Sequence, residues 1–202
     1  RLRNLCARDA AELDADELAR ATVESLAENA SDAVVAPLFW GAVGGVPGML
    51  AYRAVNTLDA MVGYRSPRYA RFGWASARAD DLANLVPSRL AALLAVGTAR
   101  GVGGAPRQAW RVWRRDGGSH PSPNAGQVEA AFAGALGLRL GGTNAYGGAA
   151  ETRPGMGEGR GPRAADIPAA VRLGRRVSWA AVAVAVAGGT AAVTSRRRRR
   201  CP

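Results

Sequence analysis

The feature that most constrains this chain is the stretch from Ala33 to Tyr52, twenty consecutive residues without a charge. As one helix it would be about 30 Å long, the thickness of a bilayer's hydrocarbon core. Polar groups bracket it. Glu24, Glu28 and Asp32 precede it at helical spacing, and Arg53, Asn56 and Asp59 follow. Carboxylates stacked at i, i+4 repel by roughly a few tenths of a kcal/mol per pair, so a chain that keeps them has a use for them, such as holding a cation. Inside the run, Gly44-Gly45-Val46-Pro47-Gly48 reads as a turn. The expectation is a bent or re-entrant hairpin more than a straight crossing, with protein packed around it.

Composition removes several chemistries. All 27 basic residues are arginine, so there is no lysine for a Walker A loop, a Schiff base or a lysyl adenylate. Cys6 and Cys201 lie near opposite ends without metal-ligand spacing, which favours a reduced compartment. His120 is the single histidine, so paired-histidine zinc motifs are absent. The net charge is +11, and it is uneven: residues 1–32 carry −4 and residues 100–177 carry +7. Because the arginines alternate with apolar runs, an anionic membrane face is the expected partner and nucleic acid is not. The chain opens on Arg1, which suggests a fragment or a processed chain.

Along the chain, residues 1–13 read as a frayed start. Asp14 with Glu17 forms a capping-box pattern opening a helix of about sixteen residues. The next apolar stretch, Leu82–Ala99, is interrupted by Pro87 and Arg89. That arginine is expected to be interfacial or functional. Residues 100–124 read as loop, and Asn124 with Gln127 offers a second capping box for a helix over 125–138. Gly141–Gly148 and the Gly/Pro/Arg stretch 153–163 read as irregular. Ser178–Thr194 is uncharged and precedes five arginines, a transmembrane pattern. The arginines on both sides of that segment leave its orientation open.

Five constellations could carry chemistry, each beside a plainer alternative. Glu24, Glu28, Asn29 and Asp32 share a face suited to Mg²⁺ with phosphate oxygens, or are a solvated helix face. Arg53, Asn56 and Asp59 are polar groups in an apolar run, functional or structural. Asp80, Asp81 and Asn84 resemble part of an aspartate-rich diphosphate motif, or cap a helix. His120-Pro-Ser122-Pro-Asn124 leads into a helix N-terminus and could receive an anion, or is a rigid capping loop. Gly141-Gly-Thr-Asn144-Ala-Tyr146-Gly-Gly148 is a ligand-approach loop or a tight turn. Trp110 and Trp113 among arginines suggest a membrane interface.

Taken together, ESLAENASD, APLFW, YRAVNTLDAMVGY, RFGWASARADDLAN, HPSPNAG and LGGTNAYGG resemble the adenosylcobinamide-phosphate synthase (CobD/CbiB) family, over roughly residues 1–175. Departures are Ala33, Ala60 and Leu85, where the family often has Gly, Ser and Trp. The resemblance implies an all-α, polytopic helical membrane protein with re-entrant or broken helices and long polar loops. It makes residues 1–177 a membrane domain lacking the family's earlier helices, while the uncharged run and the arginines beyond it, which are not a family feature, read as a C-terminal transmembrane helix over 178–195 and a basic tail over 196–202. It implies a multi-pass protein of the cell membrane with its active-site loops in the cytoplasm. The implied activity is ATP-dependent amide formation, joining aminopropanol or its phosphate to the free propionate of adenosylcobyric acid, a corrinoid. A non-catalytic corrinoid transport component is the alternative. On this reading Glu24, Glu28 and Asp32 hold Mg²⁺, and Asp59 or Asp81 is the catalytic base. Asn29, Arg53, Asn56, Asp80, Asn84, His120, Ser122, Asn124, Asn144 and Tyr146 contact the substrates.

Overall fold

The computed structural model describes residues 14–63, 69–146 and 149–200, with the backbone alone described at 70, 143–146, 149–152 and 190–200. Asp14 starts the first helix by accepting from the backbone N–H groups of Asp16 and Glu17 at 2.9 and 2.8 Å. Glu17 returns the bond to the Asp14 N–H at 3.1 Å, so the expected capping box is present. Helix α1 (Ala15–Asn29) passes through a π-helical turn, Ala30–Val35, into α2 (Ala36–Val62).

Helix α2 is a hairpin. Gly45 sits at φ 65°, ψ −157°, a conformation essentially open only to glycine, and the chain reverses there. The Tyr52 hydroxyl reaches the Asp32 carbonyl at 3.2 Å, across twenty residues of sequence. Gly48 lies so close to the facing limb that a Cβ would sit 2.5 Å from the Trp40 carbonyl oxygen. The bend expected from Gly44–Gly48 is therefore where the sequence put it.

The second expected interruption is not a break. Helix α3 (Ala70–Thr98) runs straight through Pro87. Proline has no N–H to give the Ala83 carbonyl, which would leave that acceptor orphaned. Trp40 supplies the donor from α2: its Nε1 lies 3.0 Å from the Ala83 oxygen. Arg89 is exposed and donates to the Leu85 carbonyl at 2.8 Å.

After a 3₁₀ turn (Ala99–Val102) comes α4 (Pro106–Asp116), within a segment expected to be loop. Its Gly, Pro and Arg content hid a short amphipathic helix. Pro106 occupies the first turn, where a missing N–H is harmless, and Ala109, Val112 and Trp113 bury one face. Helix α5 (Ala125–Leu136) packs against it through Gly134, where a Cβ would meet the Ala109 Cα at 2.7 Å.

An antiparallel hairpin follows, β1 (Leu140–Tyr146) with β2 (Ala149–Met156), pairing Leu140 with Met156 and Thr143 with Thr152. The fold is thus mainly helical but not all-α, and the stretch expected to be irregular from residue 153 begins inside a strand. Gly141 and Gly142, at φ 85° and 109°, form the irregularity that lets β1 fold against β2. Helix α6 (Ile167–Arg200) closes the chain. The uncharged segment 178–194 continues this one helix, which buries Ala170, Leu173, Val177 and Ala181.

The core is built largely from small residues: Ala27, Ala91, Ala92, Ala95 and Ala131 pack with Val35, Phe132, Leu173 and Val177. Among the described residues, Ala15–Val62 and Arg71–Val102 are the two helical stretches long and apolar enough to cross a membrane, each holding an 18-residue window of mean hydropathy 1.6 and 1.4 respectively. Val43, Val46, Leu50, Leu82 and Val86 stand exposed along them.

Candidate functional site

The π-helical turn, the returning limb of α2 and the first half of α3 enclose a cavity of about 490 Å³ with the loop before α5. Glu28 lines it from the end of α1, Ser31 and Asp32 from the π-helical turn, Asn56 and Asp59 from α2, and Asp80 and Asp81 from α3. His120 and Ser122 line it from the loop, and Arg153 from β2. Eight of the residues singled out in the sequence therefore meet at one place, because the Gly45 reversal returns α2 to its starting level.

Asp80 is the centre of the wall. One of its oxygens accepts from Asn56 Nδ2 at 3.2 Å, the other from Asn84 Nδ2 at 3.0 Å. Asn84 is in turn 3.0 Å from the Tyr52 hydroxyl. Asp32, Asp59 and Asp81 all lie within the electrostatic reach of Asp80. With Glu28 these make five carboxylates in one cavity, which repel unless cations or donors are placed among them.

The loop His120–Asn124 caps itself. Ser122 Oγ accepts from the Asn124 and Ala125 N–H groups at 3.3 and 3.2 Å, so the donors expected to await an anion are already taken. Asn124 and Gln127 do not form the expected capping box. The Asn124 amide donates to the Asp81 carbonyl at 2.8 Å and accepts from Ser88 Oγ at 3.2 Å, tying α3 to α5. Gln127 accepts from Trp113 Nε1 at 2.9 Å and donates to the Gly117 carbonyl at 2.8 Å. His120 Nδ1 accepts from the Ser122 N–H at 2.9 Å, which puts the neutral ring's proton on Nε2.

Other expected site residues do not line the cavity. Glu24 is 2% exposed and accepts from the Gly141 N–H at 2.9 Å, with Arg20 Nη1 3.7 Å away, so it anchors β1. Asn29 turns back to the Ser25 carbonyl. Arg53 is exposed and reaches Asn56 Oδ1 at 3.3 Å. Asn84 and Asn124 stand behind the wall as struts. Asn144 and Tyr146 lie on β1, paired with Glu151 and Ala149, and their side chains lie outside the described residues.

Among the described residues no group of three or more His, Cys, Asp or Glu converges as a metal centre, and Glu24, Glu28 and Asp32 are not one. The donor set still suits magnesium. That ion takes hard oxygen ligands and is commonly held by one or two carboxylates with substrate phosphates completing its shell.

Sequence reasoning missed two residues here. Arg153, on a strand that was not foreseen, brings a guanidinium to an otherwise acidic wall. Glu129 is fully buried behind the cavity, its Oε1 3.8 Å from His120 Nε2. Burial, and then the neighbouring Glu28 and Glu24 carboxylates, push the Glu129 carboxyl well above the usual carboxylate range, against the influence of Arg153. The signal was present: it is the one charge in an α5 otherwise made of Ala, Gly, Val, Phe, Leu and Gln.

Fold and cavity define a mainly helical protein that sets a carboxylate-rich polar site beside exposed apolar helices. The family described as CobD/Cbib protein matches residues 1–174. The protein named cobalamin biosynthesis protein CobD in Mycobacterium tuberculosis is 57% identical over 185 residues, covering 92% of this chain and 59% of that one. The proteins of the same name in Geobacter metallireducens and Chromobacterium violaceum are 54% and 49% identical, covering 75% and 91% of this chain and 48% and 57% of theirs. This chain belongs to the CobD/CbiB family. It spans about half to three-fifths of the length of these relatives. No solved structure matches it.

Proposed function

We propose that this chain is part of a membrane enzyme of cobalamin biosynthesis. Its reaction is ATP-dependent amide formation between aminopropanol, or its phosphate, and the free propionate of adenosylcobyric acid. The observation that carries the reading is the convergence of Glu28, Asp32, Asn56, Asp59, Asp80, Asp81, His120, Ser122 and Arg153 on one cavity. The names of the relatives support the pathway, and the two long apolar helical stretches support a place in the cell membrane.

A propionate oxygen is a poor leaving group, so the acid first takes a phosphoryl or adenylyl group from ATP to become an acyl phosphate or acyl adenylate, releasing ADP or pyrophosphate. The amine then displaces phosphate or AMP. Magnesium, when bound, neutralises phosphate charge. Glu28 and Asp32 are the residues that would hold it, with substrate phosphate oxygens completing its shell. Arg153 is placed to pair with a phosphate oxygen, and the Ser122 hydroxyl, whose oxygen is already an acceptor, has its proton left to donate. The attacking amine must lose a proton, and Asp59 or Asp81 is the base for it. Asn56, Asn84 and Tyr52 hold Asp80 in place, so the cavity is preorganised rather than assembled by substrate.

Genetic complementation tests this. The full-length parent gene is expressed in a cell lacking adenosylcobinamide-phosphate synthase, grown where cobalamin is required and cobyric acid is supplied. Rescue is the expected result. Absence of rescue, with the protein present in the membrane, would overturn the reading in favour of a non-catalytic role.

A further inference from the structure

One large surface feature plays no part in the cavity. On α4, Arg107, Arg111 and Arg114 stand beside Trp110, which is 45% exposed, around a groove of about 730 Å³ that also touches Val96. On α6, Arg172, Arg175 and Arg176 stand beside Trp179, which is 71% exposed, around a second groove that touches Thr98. Val96 and Thr98 belong to the last turn of α3, so the two grooves flank the same helix end. The Arg176 guanidinium lies over Gly101, where any side chain would collide with it, and links α6 to the turn that leads into α4.

None of these six arginines has a carboxylate partner among the described residues, whereas Arg115 at the edge of the α4 groove is paired with Asp116 and Glu158. Gathering like charges on one face is unfavourable unless anions complete it. Arginine with exposed tryptophan is the pairing used at the headgroup level of a bilayer. The apolar residues exposed on α3, Leu82, Val86 and Leu93, lie on the helix that leads to this face.

We infer that the face formed by α4, the end of α3 and α6 is a docking surface for anionic phospholipid headgroups. Arg107, Arg111, Arg114, Arg172, Arg175 and Arg176 take the phosphates, and Trp110 and Trp179 lie in the interface. This goes beyond the proposed reaction, and it shares no residue with the cavity.

The test uses the full-length protein in nanodiscs of phosphatidylcholine alone or of phosphatidylcholine mixed with phosphatidylglycerol. The thermal midpoint is expected to be higher in the anionic lipid by roughly 2–4 °C or more, an effect reduced by high salt. Combining R107Q, R111Q and R114Q, or R172Q, R175Q and R176Q, is expected to shrink that difference while leaving the midpoint in phosphatidylcholine near wild type. Equal midpoints of the wild-type protein in the two lipids would overturn the inference without need of any variant. So would an undiminished difference in both triple variants. Reproduction of the whole shift by inorganic phosphate in phosphatidylcholine discs would assign the face to a free anion instead. Amide formation is not the readout, so failure here leaves the proposed reaction standing.

Discussion

His120 Nε2 lies 3.8 Å from Glu129 Oε1, with the two side chains 3% and 0% exposed. A carboxyl this deeply buried beside Glu28 and Glu24 is held toward its protonated form. Because its folded pKa is raised, Glu129 contributes most to folding below the pKa of an unfolded glutamate, about 4.3, and that contribution is lost as pH rises through the folded value. Glu129→Gln keeps the shape without the titration. Thermal midpoints measured across pH should fall less steeply toward alkaline pH in this variant than in wild type.

The bond from Trp40 to the Ala83 carbonyl exists because Pro87 cannot supply one. Trp40→Phe should therefore cost about 1–3 kcal/mol by leaving that acceptor unsatisfied. In a Pro87→Ala background the helix regains its own N–H donor, and the same change should cost less. Denaturant unfolding of the four proteins of this double-mutant cycle gives the coupling. Additive effects would refute the account of how α3 passes its proline.

Gly45 carries the reversal of α2 in a conformation that side chains do not tolerate. Gly45→Ala should destabilise by about 1–3 kcal/mol. It should also lower activity, since Asn56 and Asp59 reach Asp80 only through that turn. Unfolding midpoints and assay of the same preparation separate the two effects.

Glu24 and Glu28 are one helical turn apart and have different duties. Glu24→Ala should cost about 1–3 kcal/mol, through the loss of the bond to the Gly141 N–H, while the folded fraction keeps its turnover. Glu28→Gln should keep stability and lower activity at least about tenfold. Specific activity normalised to folded protein decides between these outcomes and the reverse.

What could be read from the sequence was local. The Asp14–Glu17 box and the Gly44–Gly48 bend carry their physics within a few residues, so both are where the sequence placed them. The meeting of carboxylates at one cavity followed from the bend, since a hairpin returns Asn56 and Asp59 to Asp32. Pro87 misled because its missing bond is supplied by Trp40, forty-seven positions earlier. Helix α4 was masked by proline and arginines that suit a short surface helix, and the β-hairpin by glycines whose positive φ shapes its irregularity. Glu24 and Glu28 could not be told apart because what separates them is Gly141, over a hundred residues away. Arg153 reaches the cavity through that same strand pairing, for which no local pattern exists.

The most direct test of the central claim is the rate of ATP-dependent amide formation by membranes carrying the full-length protein with Asp59→Asn, against wild type at equal membrane abundance. Asp59 lines the cavity as a candidate base, and removing such a group should slow the reaction about 10²-fold or more. A wild-type rate in Asp59→Asn, and again in Asp81→Asn, would contradict the assignment of this cavity as the place where the amide is made.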